Sequence, residues 1–121
     1  MNKHHNKNEI TLPWPHKELS PNARVFWAAK YARVKLYRSA CYYITKQSGI
    51  KVKDEAIDLW ITFNPPDKRR RDLDNCIASI KSGLDGLADA LGVDDRRFRL
   101  HTHISDKIEG SVTVRIGEEE K

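Results

Sequence analysis

Between Asp67 and Asn75 the sequence reads DKRRRDLDN, so Lys68, Arg69, Arg70 and Arg71 stand directly before two carboxylates two residues apart, Asp72 and Asp74. Such hard oxygen ligands suit Mg²⁺, which takes one or two carboxylates and completes its shell with water and substrate phosphate oxygens. The four cations would bring a phosphate backbone to that ion. The same aspartates also have a plainer role, since at a helix start they cap free amides and complement the macrodipole. Further along, Lys81 and Asp85 share with Asp74 an arc of about 40° on a helix. Lys81 would neutralise charge developing on a phosphorane or orient an attacking water; the plainer alternative is a surface ion pair with Asp85. A second acidic pair, Asp94 and Asp95, precedes Arg96, Arg97 and Arg99, repeating acid and base in reverse order. Read alone, Gly92-Val93-Asp94-Asp95 is a helix stop and turn.

The elements that must carry these residues follow from periodicity. Leu73, Ile77, Ile80, Leu84, Leu87 and Leu91 form a narrow apolar stripe at three- and four-residue spacing, which predicts a helix docked on a sheet. A preceding helix is expected to open at Ser20-Pro21, as N-cap and first position, and to run to about Gln47. On it Arg24, Lys35, Arg38 and Lys46 fall within about 80°, opposite Phe26, Ala29, Leu36, Tyr37, Ala40 and Ile44. From Leu19 to Lys53 there is no acidic residue. Without acidic partners at i,i+4 spacing, the cationic face reads as phosphate-facing, the alternative being a solvated outer surface. Strands are expected at Glu9–Leu12, stopped by the LPWP segment, at Ile57–Phe63, and at Phe98–Ile104 and Val112–Ile116, the last two as a hairpin. The order is βαβαββ, which predicts an α/β or α+β single domain, a two-layer arrangement of a sheet covered by two helices.

Composition agrees with one small domain. Of 121 residues, 39% are hydrophobic and 32% charged, and a chain of this length supports a single two-layer core. The longest uncharged central run, Ser39 to Thr45, is far below the ~18 apolar residues of a membrane span, and MNKHHNKNE has no signal-peptide core, so a cytoplasmic protein with no membrane partner is expected. Cys41 and Cys76 form no C-x-x-C pair and support neither a zinc site nor a disulfide scaffold. A net charge of +5 points first to a polyanion. Residues 1–8, with His4 and His5, read as a flexible tail, 9–117 as the folded domain and 118–121 as a frayed end. His101 and His103 share a strand face, but two histidines without a third ligand read as surface residues. Trp60 faces away from Ile57, Leu59 and Ile61, under a second layer or on a dimer surface, whereas Trp14 and Trp27 read as packing residues, the alternative being base stacking.

PPDKRRRDLDN, followed by an apolar-striped helix and a VDD segment leading into a strand, resembles the RusA family of Holliday junction resolvases, small endodeoxyribonucleases common in phages and prophages. LPWP near the start and SPNAR with the following Trp27 are supportive, and the likeness runs from about Ile10 to Ile116. The resemblance implies an interlocked homodimer that binds four-way or branched DNA through a basic surface and cuts two strands symmetrically with Mg²⁺, for which Mn²⁺ substitutes, and with no small-molecule cofactor. By position the family's first two catalytic aspartates fall on Asp72 and Asp74, and the third on Asp95 with Asp94 beside it as a further metal ligand. The catalytic lysine falls on Ala78 counted forward from Asp74, or on Lys81 counted back from Asp85. The DNA-binding set comprises Lys68, Arg69, Arg70, Arg71 and Asn75 of the motif with Arg24, Lys35, Arg38, Arg96 and Arg97.

An unbroken helix from Asp74 to Leu91 would be about 25 Å long. Asp95 follows its far end with a reach of at most about 14 Å, and so could not meet Asp72 and Asp74 within one chain. Either the helix breaks at Gly83 or Gly86, or Asp95 completes the partner subunit's site, the arrangement expected of an interlocked dimer. Two other functions compete with junction resolution: a non-catalytic junction- or DNA-binding protein whose aspartates only cap, and a general nuclease of branched DNA.

Overall fold

The computed structural model describes residues 8–53 and 55–117. The expected behaviour of residues 1–7 and 118–121 lies outside the described residues. The chain forms one α+β domain in which a mixed four-stranded sheet is covered by three α-helices. In chain order these are β1 (Glu9–Pro13), a 3-10 turn (Lys17–Leu19), α1 (Trp27–Ser48), β2 (Ile57–Asn64), α2 (Leu73–Ser79), α3 (Lys81–Leu91), a second 3-10 turn (Asp95–Arg97), β3 (Phe98–Ile104) and β4 (Ser111–Ile116).

Strand alternation puts Ile10 and Leu12 of β1, Ile57, Leu59, Ile61 and Phe63 of β2, and Val112, Val114 and Ile116 of β4 into one core. Trp60 and the other alternate residues of β2 lie on the opposite sheet face. There the Trp60 ring stacks on His101 at 3.8 Å, and its Nε1 donates to the Gly117 carbonyl at 2.8 Å. His101 also meets Asp58 Oδ1 at 2.9 Å.

The strand order is β1-β4-β2-β3, which corrects the expected hairpin of β3 and β4. β3 pairs parallel to β2, while β4 inserts antiparallel between β1 and β2. A strand buried along most of its length needs backbone partners on both edges, and β2 takes them from two different sequence directions. The parallel neighbour is reached through the α2–α3 crossover, the usual way to join parallel strands. Asn64 pins the end of β2, with its Nδ2 donating to Ser111 and Thr113 hydroxyls at 3.2 and 3.1 Å and its Oδ1 accepting from Ser105 Oγ at 2.6 Å. From this fixed point the Pro65-Pro66 loop leads into the basic segment.

The α1 expectations need two corrections. The helix begins at Trp27 rather than Pro21, because Ser20 spends its hydroxyl on the Asn22 amide and its carbonyl on the Ala23 amide in a turn. The side expected to be greasy is also buried only in part: Tyr37 and Ile44 of it face the core, joined by Cys41 and Thr45, while Phe26 is 85% and Leu36 62% exposed. The partner helix sets this stripe. A Cβ on Gly86 would fall 2.3 Å from the Arg38 carbonyl oxygen, and one on Gly83 would fall 2.6 Å from the Tyr37 ring, so both glycines serve close approach of α3 to α1.

For the same reason neither glycine breaks the striped helix. The break falls at Ile80, whose backbone (φ −101°, ψ 9°) ends α2 and starts α3. Ile80, Leu84 and Leu87 stay buried, with Leu73, Ile77 and Leu91 packed against the core, so the stripe survives the break.

Candidate active site

The basic loop is stapled from within. Asp67 Oδ1 accepts from the Arg69 amide and from Arg71 Nη1, both at 2.9 Å, and Arg71 also donates to the Arg69 carbonyl at 3.0 Å. These donors, Arg71 foremost, hold the Asp67 carboxyl well below the usual carboxylate range. The Arg71 guanidinium lies 5.3 Å from the Trp14 ring centroid, and that ring meets Phe63 edge-on. Arg71, expected on DNA, thus holds the loop; Trp14 is the packing residue anticipated, whereas Trp27, expected to pack as well, is 79% exposed at the start of α1. Lys68 and Arg70 are exposed and make no ion pair with a described residue, while Arg69 is exposed and only loosely paired to Asp67 at 3.4 Å. The staple therefore turns part of the basic run outward.

α2 starts where the loop ends. Asp72 is its N-cap, with Oδ1 accepting from the Asp74 amide at 2.9 Å, and Asp74 lies in the first turn. Both carboxylates are exposed. Arg69, Arg70, Asp72 and Asn75 line a cleft of about 440 Å³ whose opposite wall is the LPWP turn with His16 and Lys17. His16 and Lys17 were not singled out from the sequence; only the adjoining prolines, which bring that turn alongside, hinted at them.

A separate group of charges surrounds α3. The Lys81 ammonium donates to Asp85 at 2.8 Å and to Asp95 at 3.2 Å, and these carboxylates, Asp85 first, raise its pKa. Asp95 therefore reaches Lys81 within one chain. This is possible because α3 is short and Gly92, in the left-handed conformation, turns the chain at its end. Asp85 has a second claim on attention as the closer holder of Lys81, a contact the i,i+4 spacing foreshadowed as an ion pair. Arg38 is engaged twice by Asp89, at 2.8 and 3.1 Å, so this member of the cationic α1 face is turned to α3. Asp94 caps the second 3-10 turn and accepts from the Arg96 amide and guanidinium, which lower its pKa to about 2. Arg96 is thereby committed to a neighbour. Arg24 and Lys35 of the expected DNA surface are exposed, as is Arg97.

Among the described residues no three Asp, Glu, His or Cys side chains gather as a metal-holding group. The expected gathering of Asp72, Asp74, Asp94 and Asp95 is therefore not assembled within one chain: the first two open α2, Asp95 is held by Lys81 and Asp94 by Arg96. The Asp72/Asp74 pair alone still fits Mg²⁺, which needs few protein carboxylates when substrate oxygens and water complete its shell. Asp85 and Asp95 fit less well, because an ammonium already stands between them.

No protein-family model matches the chain. An uncharacterized protein of Xylella fastidiosa (strain Temecula1 / ATCC 700964) is 44% identical over 113 residues, covering 88% of this chain and 74% of that protein. The identity and the coverage together place the chain in the same family as this Xylella fastidiosa protein.

Proposed function

We propose that the protein is a Mg²⁺-dependent, structure-selective endodeoxyribonuclease of the RusA type, resolving four-way DNA junctions by paired cleavage. The observation that carries this reading is the meeting, on one cleft, of outward cations Arg69 and Arg70 with exposed Asp72 at a helix start, whose first turn also carries the exposed Asp74. Lys68 and these two arginines bind the phosphate backbone and fix its register. Asp72 and Asp74 hold the ion, which, when bound, supplies a more acidic water and polarises the scissile phosphodiester. Lys81, held by Asp85 and Asp95, contributes a fixed positive charge towards the phosphate.

The working unit in this reading is a homodimer, whose two-fold axis presents equivalent sites to two strands. The outer face of α1 supports it, since Leu36 and Tyr43 are each 62% exposed beside exposed Ala28 and Ala32. In such a dimer Asp95 serves the partner's aspartate pair. Mixing Asp72→Asn with Asp95→Asn chains tests this directly: restored cleavage supports the shared site, and a mixture no better than either parent sinks it. Among the described residues no helix is long and apolar enough to cross a membrane.

A second reading, a DNA-binding protein without catalysis, is favoured by the capping bond of Asp72 and the absence of three gathered carboxylates among the described residues. Incubating the wild-type protein with a synthetic four-way junction and a linear duplex, with and without Mg²⁺, separates the readings. Junction-selective, Mg²⁺-dependent cleavage supports resolution, equal cleavage of both substrates indicates a general nuclease, and binding without cleavage indicates the non-catalytic protein.

A further inference from the structure

We propose that Trp27 and Tyr31, at the start of α1, stack an unpaired nucleotide beside the Lys81 charge cluster; the proposal rests on the DNA reading above. Trp27, Lys30, Tyr31 and Val34 follow i, i+3, i+4, i+7 spacing and form one stripe along the helix. Its inner half enters a groove: Lys30 and Val34 line a cavity of about 230 Å³ together with Lys81, Ser82 and Asp85. Its outer half stands in solvent, Trp27 at 79% and Tyr31 at 57% exposure. The aromatic rings thus share one helical stripe with Lys30 and Val34, which line a groove whose wall carries the candidate catalytic lysine.

Charge and chemistry select the occupant. No acidic residue occurs between Leu19 and Lys53, while Arg24 and Lys35 are exposed nearby, and Lys35 Nζ lies 5.4 Å from the Tyr31 ring centroid. Aromatic faces interleaved with cations are the usual platform for single-stranded nucleic acid, because every base offers a π-face and every linkage a negative charge. A protein-protein core would instead be depleted of charge. The apolar residues suited to self-association, Leu36 and Tyr43, lie about 160–180° round the helix from Trp27. Junctions and branches supply the unpaired nucleotide; an intact linear duplex does not.

The test uses fluorescence anisotropy with labelled oligodeoxythymidylate and with a blunt linear duplex, in a chelator so that cleavage plays no part. Trp27→Ala and Tyr31→Ala are each expected to weaken oligodeoxythymidylate binding about tenfold, the worth of one stacked base, with duplex affinity changed less than about twofold. Trp27→Phe should retain most of the affinity. No binding of oligodeoxythymidylate by the wild type, no loss in the variants, or equal loss on both DNAs overturns the proposal. So does a change from dimer to monomer in sedimentation on Trp27→Ala, which would make the face a self-interface. Should one variant fold poorly by circular dichroism, the other carries the test. Wild-type cleavage of a junction with Mg²⁺ is scored separately, so the nuclease reading can fail while stacking stands.

Discussion

The segment Asp67–Asn75 and the segment Lys81–Arg97 have similar alphabets, acids set against bases around a helix end, yet the fold uses them in opposite ways. In the first, Asp67 takes Arg71 and part of Arg69, which leaves Asp72 and Asp74 exposed with no cation paired to them among the described residues. In the second, Asp85 and Asp95 share Lys81, Asp89 takes Arg38 and Asp94 takes Arg96. The first segment can receive an external cation and an external phosphate. The second is largely neutralised from within and offers a positioned lysine instead.

The sharpest break of this contrast lies at the open carboxylates. Asp72→Asn and Asp74→Asn should each lower junction cleavage by on the order of 10³-fold, several kcal/mol of barrier, with junction affinity kept or raised. Because asparagine caps a helix as well as aspartate does, Asp72→Asn should leave the thermal midpoint nearly unchanged. A fall in both stability and binding, measured by melting and electrophoretic mobility shift, would return the residue to a capping role.

Next in size is the packing that sets the second segment. Gly86→Ala places a methyl against the Arg38 backbone, which cannot retreat as a side-chain tip can. It should destabilise the domain by about 1–3 kcal/mol, read as a lower urea midpoint, despite alanine's better helix propensity. An unchanged midpoint would mean that α1 and α3 do not approach so closely.

Smaller still is the effect of one outward cation. Arg70→Ala should weaken binding of any DNA about equally and reduce the slope of log affinity against log salt by about 1. Arg38→Ala, removing a cation already taken by Asp89, should leave that slope unchanged; equal slopes for the two variants would erase the distinction between the segments.

The least effect is protonation. Asp94 is lowered from its ordinary value to about 2 by Arg96, so its contribution is complete above the unfolded carboxylate value near ~4 and fades as pH falls through about 2. In Arg96→Ala the Asp94 carboxyl titration, followed by NMR, should move upward. An unmoved midpoint would show that the pair does not form in solution.

Much of the framework was legible from local pattern. The four strands, the stripe Leu73 to Leu91 and the Asp72-Asp74 helix start follow from alternation, periodicity and capping, all of which act over a few residues. What escaped was non-local. The β3–β4 hairpin was inferred from adjacency in sequence, whereas β2 takes both strands as neighbours. A break at Gly83 or Gly86 stood as one of two alternatives because the value of these glycines for close contact with α1 depends on a helix far away in the chain. For the same reason nothing nearby in sequence announces the contact of Arg38 with Asp89 or of Arg71 with the Trp14 ring.

By itself, then, the sequence determined which residues of the strands and of the stripe Leu73 to Leu91 turn towards the core and where a cationic loop meets two carboxylates at a helix start, because both depend on backbone period and nearest neighbours. Only the tertiary structure decided which charges remain unspent. Ion pairing and close helix approach join residues tens of positions apart, and a break of one residue at Ile80 together with the turn at Gly92 is enough to deliver Asp95 to Lys81 rather than to Asp72 and Asp74 within the same chain.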